Sequence, residues 1–201
     1  MNMQNAQRDL DYIKSMINET RQITAGSWMF FLFWGIMVII GVAGMYGLIY
    51  LKRYELIFWN WIAVTSIGVL FTLIYGRKIE KKSGVKTYAN MAVGHIGMAS
   101  GISFILVGFI FPLLHVYGWE QIPVLISLVA GFMVFSMGGI FEWNLLKWCG
   151  VAWWIGALVM ALIQPEFRTL LFIPLILIGY ILPAWRLRTI YYMEGQSHEQ
   201  R

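Results

Sequence analysis

A chain of 201 residues with 59% hydrophobic and only 12% charged residues cannot wrap a water-exposed core of its size, because a soluble domain carries about 25% charged residues. The mean hydropathy of +0.67 points the same way. These figures exclude a soluble enzyme, a disordered chain and a free DNA-binding domain, so the net charge of +5 is read by position within a bilayer rather than as a nucleic-acid footprint.

Residues 1–27 form the polar opening and are expected in the cytoplasm. Leu10, Ile13 and Ile17, with Arg21 one turn on, recur at helical spacing, while Asp9, Asp11, Lys14 and Asn18 occupy the other positions. The pattern predicts a short amphipathic helix within 5–24, lying on the membrane or the bundle, or pairing with its copy. The first apolar run is too long for a signal-peptide core, so the first span is expected to be an uncleaved signal-anchor.

Six stretches contain no Asp, Glu, Lys or Arg: Trp28–Leu51, Leu56–Gly76, Met91–Trp119, Gln121–Phe141, Trp148–Gln164 and Thr169–Trp185. Crossing a hydrocarbon core of roughly 30 Å takes about 20 helical residues. The expected spans are 28–51, 56–76, 93–114, 121–141, 148–164 and 169–186, followed by a cytoplasmic tail at 189–201. The last two are short and would have to lie steeply or thin the bilayer. Backbone groups in lipid must be bonded internally, and none of the runs alternates as a barrel strand does. The fold class is therefore an all-α membrane protein, a six-transmembrane-helix bundle of three hairpins.

With the N-terminus inside, 12 of the 15 Lys and Arg residues fall on the inner side; only Lys52, Arg53 and Arg168 fall outside. That asymmetry over short loops predicts both termini inside a bacterial cytoplasmic membrane. Tyr46, Tyr50, Tyr54, Trp59, Trp61, Tyr117 and Trp119 crowd the outer boundary, and Trp28, Tyr75, Trp143, Trp148 and Trp185 the inner one, as interfacial anchors do. The outer loops are tight turns; Arg77–Asn90 is the one long connection. Gly68/Gly76 and Gly131/Gly139 share one spacing, as do Tyr46-Gly47 and Tyr117-Gly118 at span ends, an echo that either duplication or chance explains.

Span three carries Gly97-Met98-Ala99-Ser100-Gly101, whose Gly97 and Gly101 predict close helix packing, within the bundle or across a homodimer. Ser100 is not read as a nucleophile, because span six offers no histidine to act as its base. His95 and His115 lie 20 residues apart on one span, about 30 Å along a helix, too far to share a metal. At the inner end Glu142, Asn144 and Lys147 share a layer with His95, Arg77 and Arg186. This is a candidate polar or ligand site, or simply a rim ion pair. Trp34, Trp153 and Trp154 lie one layer deeper and could line an aromatic pocket. Arg77, Lys78, Lys81, Lys82 and Lys86 form a basic cluster suited to anionic lipid headgroups. Pro112, Pro174 and Pro183 interrupt spans three and six, each freeing a carbonyl.

No phosphate loop, zinc motif or Cys-x-x-Cys is present, and Cys149 is the single cysteine, read as a small buried hydrophobe. No catalytic residue, metal site or cofactor is expected, nor a nucleic-acid partner.

Asp9-Leu-Asp-Tyr-Ile-Lys-Ser-Met-Ile-Asn-Glu-Thr20, running into a Trp/Phe/Gly-rich first span, resembles the opening of small bacterial polytopic membrane proteins that pair a short charged cytoplasmic helix with four to six spans. The resemblance implies an inner-membrane location and a regulatory role, and assigns no functional residue. Two functions stand in view: a non-enzymatic accessory, scaffold or sensor subunit, and a small-solute transporter or channel using Glu142 and His95.

Overall fold

The computed structural model describes residues 28–82 and 88–189, with the backbone alone at 80–82, 89 and 90. The predicted helix within 5–24, the tail at 190–201 and Lys86 lie outside the described residues, as do the side chains of Lys81 and Lys82. The described residues are helical apart from the turns that join the helices, and six helices are long and apolar enough to cross a membrane. They are α1 (Trp28–Tyr50), α2 (Ile57–Lys82), α3 (Tyr88–Ile105, continuing to Leu113), α4 (Ile122–Ile140), α5 (Asn144–Leu162) and α6 (Pro165–Thr189). Pro123 and Pro165 stand in the first turns of α4 and α6, where the missing N–H costs nothing.

The first four helices follow their charge-free runs closely. The sixth does not, because Glu166, Arg168, Arg186 and Arg188 lie within the helix rather than beyond it. At 25 residues, α6 is long enough to span without thinning the bilayer, unlike the short span expected from its charge-free run. α2 is 26 residues, about 39 Å, so its last two turns with Arg77 and Lys78 extend past a roughly 30 Å core.

The most extensive pairing is between α4 and α5, joined by a tight turn at 141–143. α1 lies against α2 and α6, α3 against α4, and α5 against α6. The three-hairpin grouping therefore leaves out the largest seam. That seam is close because small residues stand where the backbones meet: Gly131 of α4 faces the Gly150 carbonyl of α5, Gly138 faces the Leu146–Lys147 backbone, and Gly150 faces Phe135. A Cβ on Gly150 would stand 2.7 Å from the backbone nitrogen of Phe135. The core comes from α1, α4, α5 and α6, around fully buried Trp153, Leu146, Met160, Ile176, Val42 and Val134. α2 and α3 flank it and are the least buried of the six.

The helices succeed one another antiparallel. At one end Tyr46 Oη donates to the Glu166 carbonyl (2.9 Å), the Arg168 guanidinium donates to the Glu120 carbonyl (3.0 Å), and Phe58 packs edge-on against Phe109 and Trp119. At the other, the Arg188 guanidinium lies 5.5 Å from the Trp28 ring centroid, tying the end of α6 to the start of α1.

α3 and α6 are each interrupted by one π-helical turn, at Leu106–Ile110 and Leu177–Ile181. The Phe111 N–H bonds the Leu106 carbonyl and the Leu182 N–H bonds the Leu177 carbonyl. In that register the next acceptors are the carbonyls of Val107 and Ile178, and their donors would be residues 112 and 183. Both are prolines, which have no N–H. Each orphan carbonyl is met from outside its helix: Tyr117 Oη donates to Val107 O (2.5 Å), and Cys149 Sγ donates to Ile178 O (3.3 Å). Neighbouring side chains thus satisfy what lipid cannot. The packing role expected for Cys149 is joined by a hydrogen-bonding one.

Candidate functional site

The polar residues singled out from the sequence gather at the end of the bundle formed by the α2 C-terminus, the α3 N-terminal half, the α4–α5 turn and the α6 C-terminus. Glu142, Asn144, Arg186 and His95 are exposed there, and Lys147 is half-buried. Among the described residues, no hydrogen bond or ion pair joins these five to one another. His95 Nδ1 instead lies 2.6 Å from the Met91 carbonyl, one turn back on its own helix. A carbonyl can only accept, so this contact is a hydrogen bond in the tautomer that carries the proton on Nδ1.

Glu142 owes its position to the backbone. Its φ is 50°, its N–H bonds the Gly139 carbonyl and the Trp143 N–H bonds the Gly138 carbonyl. This pair of bonds is a Schellman cap closing α4, with Glu142 in the left-handed place usually held by glycine. Lys52 after α1 (φ 57°) and His115 after α3 (φ 58°) occupy the same place in two further caps. Nothing in these sequences announces the caps, because no glycine marks them. A left-handed non-glycine residue costs roughly 1–2 kcal/mol. Glu142→Gly is therefore expected to raise stability by about 0.5–1 kcal/mol, read as a higher melting temperature in detergent. A fall would mean the carboxylate itself holds the rim together.

The three tryptophans of the candidate aromatic pocket go to three different seams. Trp34 of α1 lies on Gly68 of α2 and its Nε1 donates to Thr72 Oγ1 (3.0 Å). Trp154 of α5 lies on Gly131 of α4 and donates to the Leu128 carbonyl (3.2 Å). Trp153 of α5 lies on Gly179, within the π turn of α6, between Phe172 and Tyr180. In each case an aromatic ring fills the space a missing Cβ leaves. Trp61 does the same over Gly41. Gly68 and Gly131, the matching glycines of the sequence echo, thus share a role, whereas a Cβ on Gly76 or Gly139 would meet open space.

On α3, Cβ atoms at Gly94, Gly97 and Gly101 would likewise meet nothing within 4 Å. Among the described residues nothing packs on this glycine face. Ser100 is buried, and its Oγ has no hydrogen-bond partner, so no base activates it. Among the described residues, Trp153 Nε1 is the other buried side-chain polar atom without a hydrogen-bond partner. Arg77 and Lys78 are exposed at the end of α2. No group of three His, Cys, Asp or Glu side chains that could hold a metal ion occurs among the described residues.

Several polar residues that matter escaped the sequence reading. Asn60 Nδ2 donates to the Gly41 carbonyl (3.0 Å), bridging α2 to α1. Arg168 is 8% exposed and donates to the Ile163 and Glu120 carbonyls (3.3 and 3.0 Å). Burial holds the Tyr117 hydroxyl above the ordinary phenol value, so it stays a donor to Val107 through the physiological pH range.

No known family model, curated protein or solved structure matches this chain.

Proposed function

We propose that the protein is a non-enzymatic accessory or sensor subunit of a bacterial cytoplasmic membrane. Both termini lie in the cytoplasm, and it works through its packing and its cytoplasmic rim rather than through a solute path. The observation that supports this best is the separation of Trp34, Trp153 and Trp154 into three seams, each ring seated on a glycine. A solute site in the bundle would need polar groups converging on a common interior space. Here the centre is filled by Trp153, Met160, Leu146 and Ile176, while Glu142 and His95 are exposed and no hydrogen bond joins them.

The rim supplies the contacts. Arg77 and Lys78, with Lys81, Lys82 and Lys86 in sequence beyond them, attract anionic headgroups at about 1 kcal/mol per charge. Glu142, Asn144, Lys147 and Arg186 are the groups a cytoplasmic partner would meet. The open Gly97/Gly101 face of α3 is the proposed contact for a second copy; Gly97→Leu with Gly101→Leu should move the detergent-solubilised mass toward monomer, and an unchanged mass removes the dimer.

Osmotic swelling of proteoliposomes tests the central reading. Glycerol, urea and potassium chloride are expected to enter no faster than into protein-free vesicles. Swelling several-fold faster, and abolished by Glu142→Gln, would establish the rival transport function. Orientation is checked in a Cys149→Ser background. Arg53→Cys should label with an impermeant maleimide on intact cells, and Lys78→Cys only after permeabilisation; the reverse pattern inverts the topology.

A further inference from the structure

Three short segments of the first half recur in the second, in the same order. Gly35-Ile-Met-Val38 of α1 matches Gly131-Phe-Met-Val134 of α4, and Ile67-Gly-Val-Leu70 of α2 matches Ile155-Gly-Ala-Leu158 of α5. Leu106-Val-Gly-Phe-Ile-Phe-Pro112 of α3 matches Leu177-Ile-Gly-Tyr-Ile-Leu-Pro183 of α6. Short apolar matches weigh little in a chain this rich in Gly, Ile and Val. The weight comes from the third pair, because its backbone matches too. Both copies form a π turn over their first five residues, place proline two residues after it, and leave the second residue's carbonyl to a side-chain donor.

The packing agrees. Exchanging α1 with α4, α2 with α5 and α3 with α6 turns the α1–α2 seam into α4–α5, and the α1–α6 seam into α4–α3; all four are observed. The one departure is that α2 and α3 meet chiefly at Phe58 and Phe109, whereas α5 and α6 pack more fully. Five residues separate the described ends of α2 and α3, against two between α5 and α6. Three crossings per half put the second copy upside down relative to the first.

We infer that the chain is an inverted duplication of a three-helix unit, and that the break shared by α3 and α6 is a joint held closed by one hydrogen bond, from Tyr117 in one copy and Cys149 in the other. In transporters built from inverted repeats, paired breaks of this kind line a solute site. Here Trp153 fills the space beside the α6 break, and a donor closes each orphan carbonyl, which makes the breaks latched joints rather than open ligands. Opening the Cys149 latch frees the Ile178 carbonyl and loosens the joint at Pro183, beyond which α6 carries Arg186 and Arg188 at the rim.

The latch has an intrinsic test, because restoring an N–H at the proline should make the side-chain donor redundant. Cys149→Ala should lower the melting temperature of the full chain in detergent by about 2–4 °C, Cys149→Ser should not, and Cys149→Ala made in Pro183→Ala should cost little. Tyr117→Phe with and without Pro112→Ala should repeat the pattern. Equal losses in both backgrounds would overturn the latch. A cycle that closes in one helix alone would overturn the equivalence of the halves.

Two spectroscopic readouts do not depend on the proline variants folding. With one cysteine in the chain, the S–H stretch is a single infrared band. It should sit at the lower frequency of a hydrogen-bonded thiol, and a free-thiol position would overturn the bond. A nitroxide at Arg186→Cys should be more mobile with Cys149→Ala than with Cys149→Ser; equal mobility would overturn the joint.

Discussion

Gly150→Ala is expected to lower the melting temperature of the detergent-solubilised protein by roughly 5–10 °C, the equivalent of about 2–3 kcal/mol. The cause is the nature of what the new methyl group would meet. At Gly150 it would lie 2.7 Å from the backbone nitrogen and 2.8 Å from the Cα of Phe135. A side chain could rotate away from such a clash, but a helix backbone cannot. The whole of α5 would have to withdraw from α4 along the largest seam in the protein. Gly138, facing the backbone nitrogen of Lys147 at 2.7 Å, should behave alike. Gly97→Ala and Gly101→Ala are the contrast. Their methyl groups would enter open space, and the stability of one chain should change by no more than about 0.5 kcal/mol. Thermal melts of the four single variants check the ordering. A Gly97→Ala loss as large as that at Gly150 would mean that the face of α3 is covered.

That contrast shows where the sequence is informative and where it is silent. The number of long apolar helices and most of their ends were legible because charge is so costly in hydrocarbon that it is kept out of about 20 residues at a time. The expected 28–51 and 121–141 meet Trp28–Tyr50 and Trp119–Ile140 in the structure. The same rule misjudged α6, since Arg168 is inside the helix and satisfied by carbonyls rather than beyond its end. Helix pairing was not legible. Lipid is as apolar as leucine, so a membrane helix need not display an apolar stripe toward its neighbours. Glycine spacing therefore promoted Gly97 and Gly101 while the working glycines, Gly131, Gly138 and Gly150, drew no notice as a set. For the rim, Glu142 was visible as an acid at a boundary. Its left-handed backbone was not, because glutamate is an uncommon residue at that place in a cap. The paired breaks were within reach. Gly108 and Gly179 each stand four residues before a proline, but a comparison of one hairpin with the next never aligns α3 with α6.

Arg168→Ala should cost about 2–4 kcal/mol, more than loss of the exposed ion pair at the same end of the bundle. Arg53 and Glu55 form that exposed pair, at 3.0 Å, and such pairs are worth about 0–1 kcal/mol. Arg168 differs because it is buried and its donors are divided between elements. Nε reaches the Ile163 carbonyl at the end of α5, and Nη1 reaches the Glu120 carbonyl ahead of α4. The residue itself lies in the first turn of α6, so one planar cation ties the starts of α4 and α6 to the end of α5. Truncation leaves two carbonyls without their donor and opens the space that the side chain filled. Arg168→Lys keeps the charge but offers a single ammonium, which cannot reproduce a fork reaching in two directions. It should recover less than half of the loss. Chemical or thermal unfolding of Arg168→Ala, Arg168→Lys and Arg53→Ala gives the comparison. Full recovery by lysine would mean that charge alone matters at this position, and that the turns at this end of the bundle are held together by field rather than by directed hydrogen bonds.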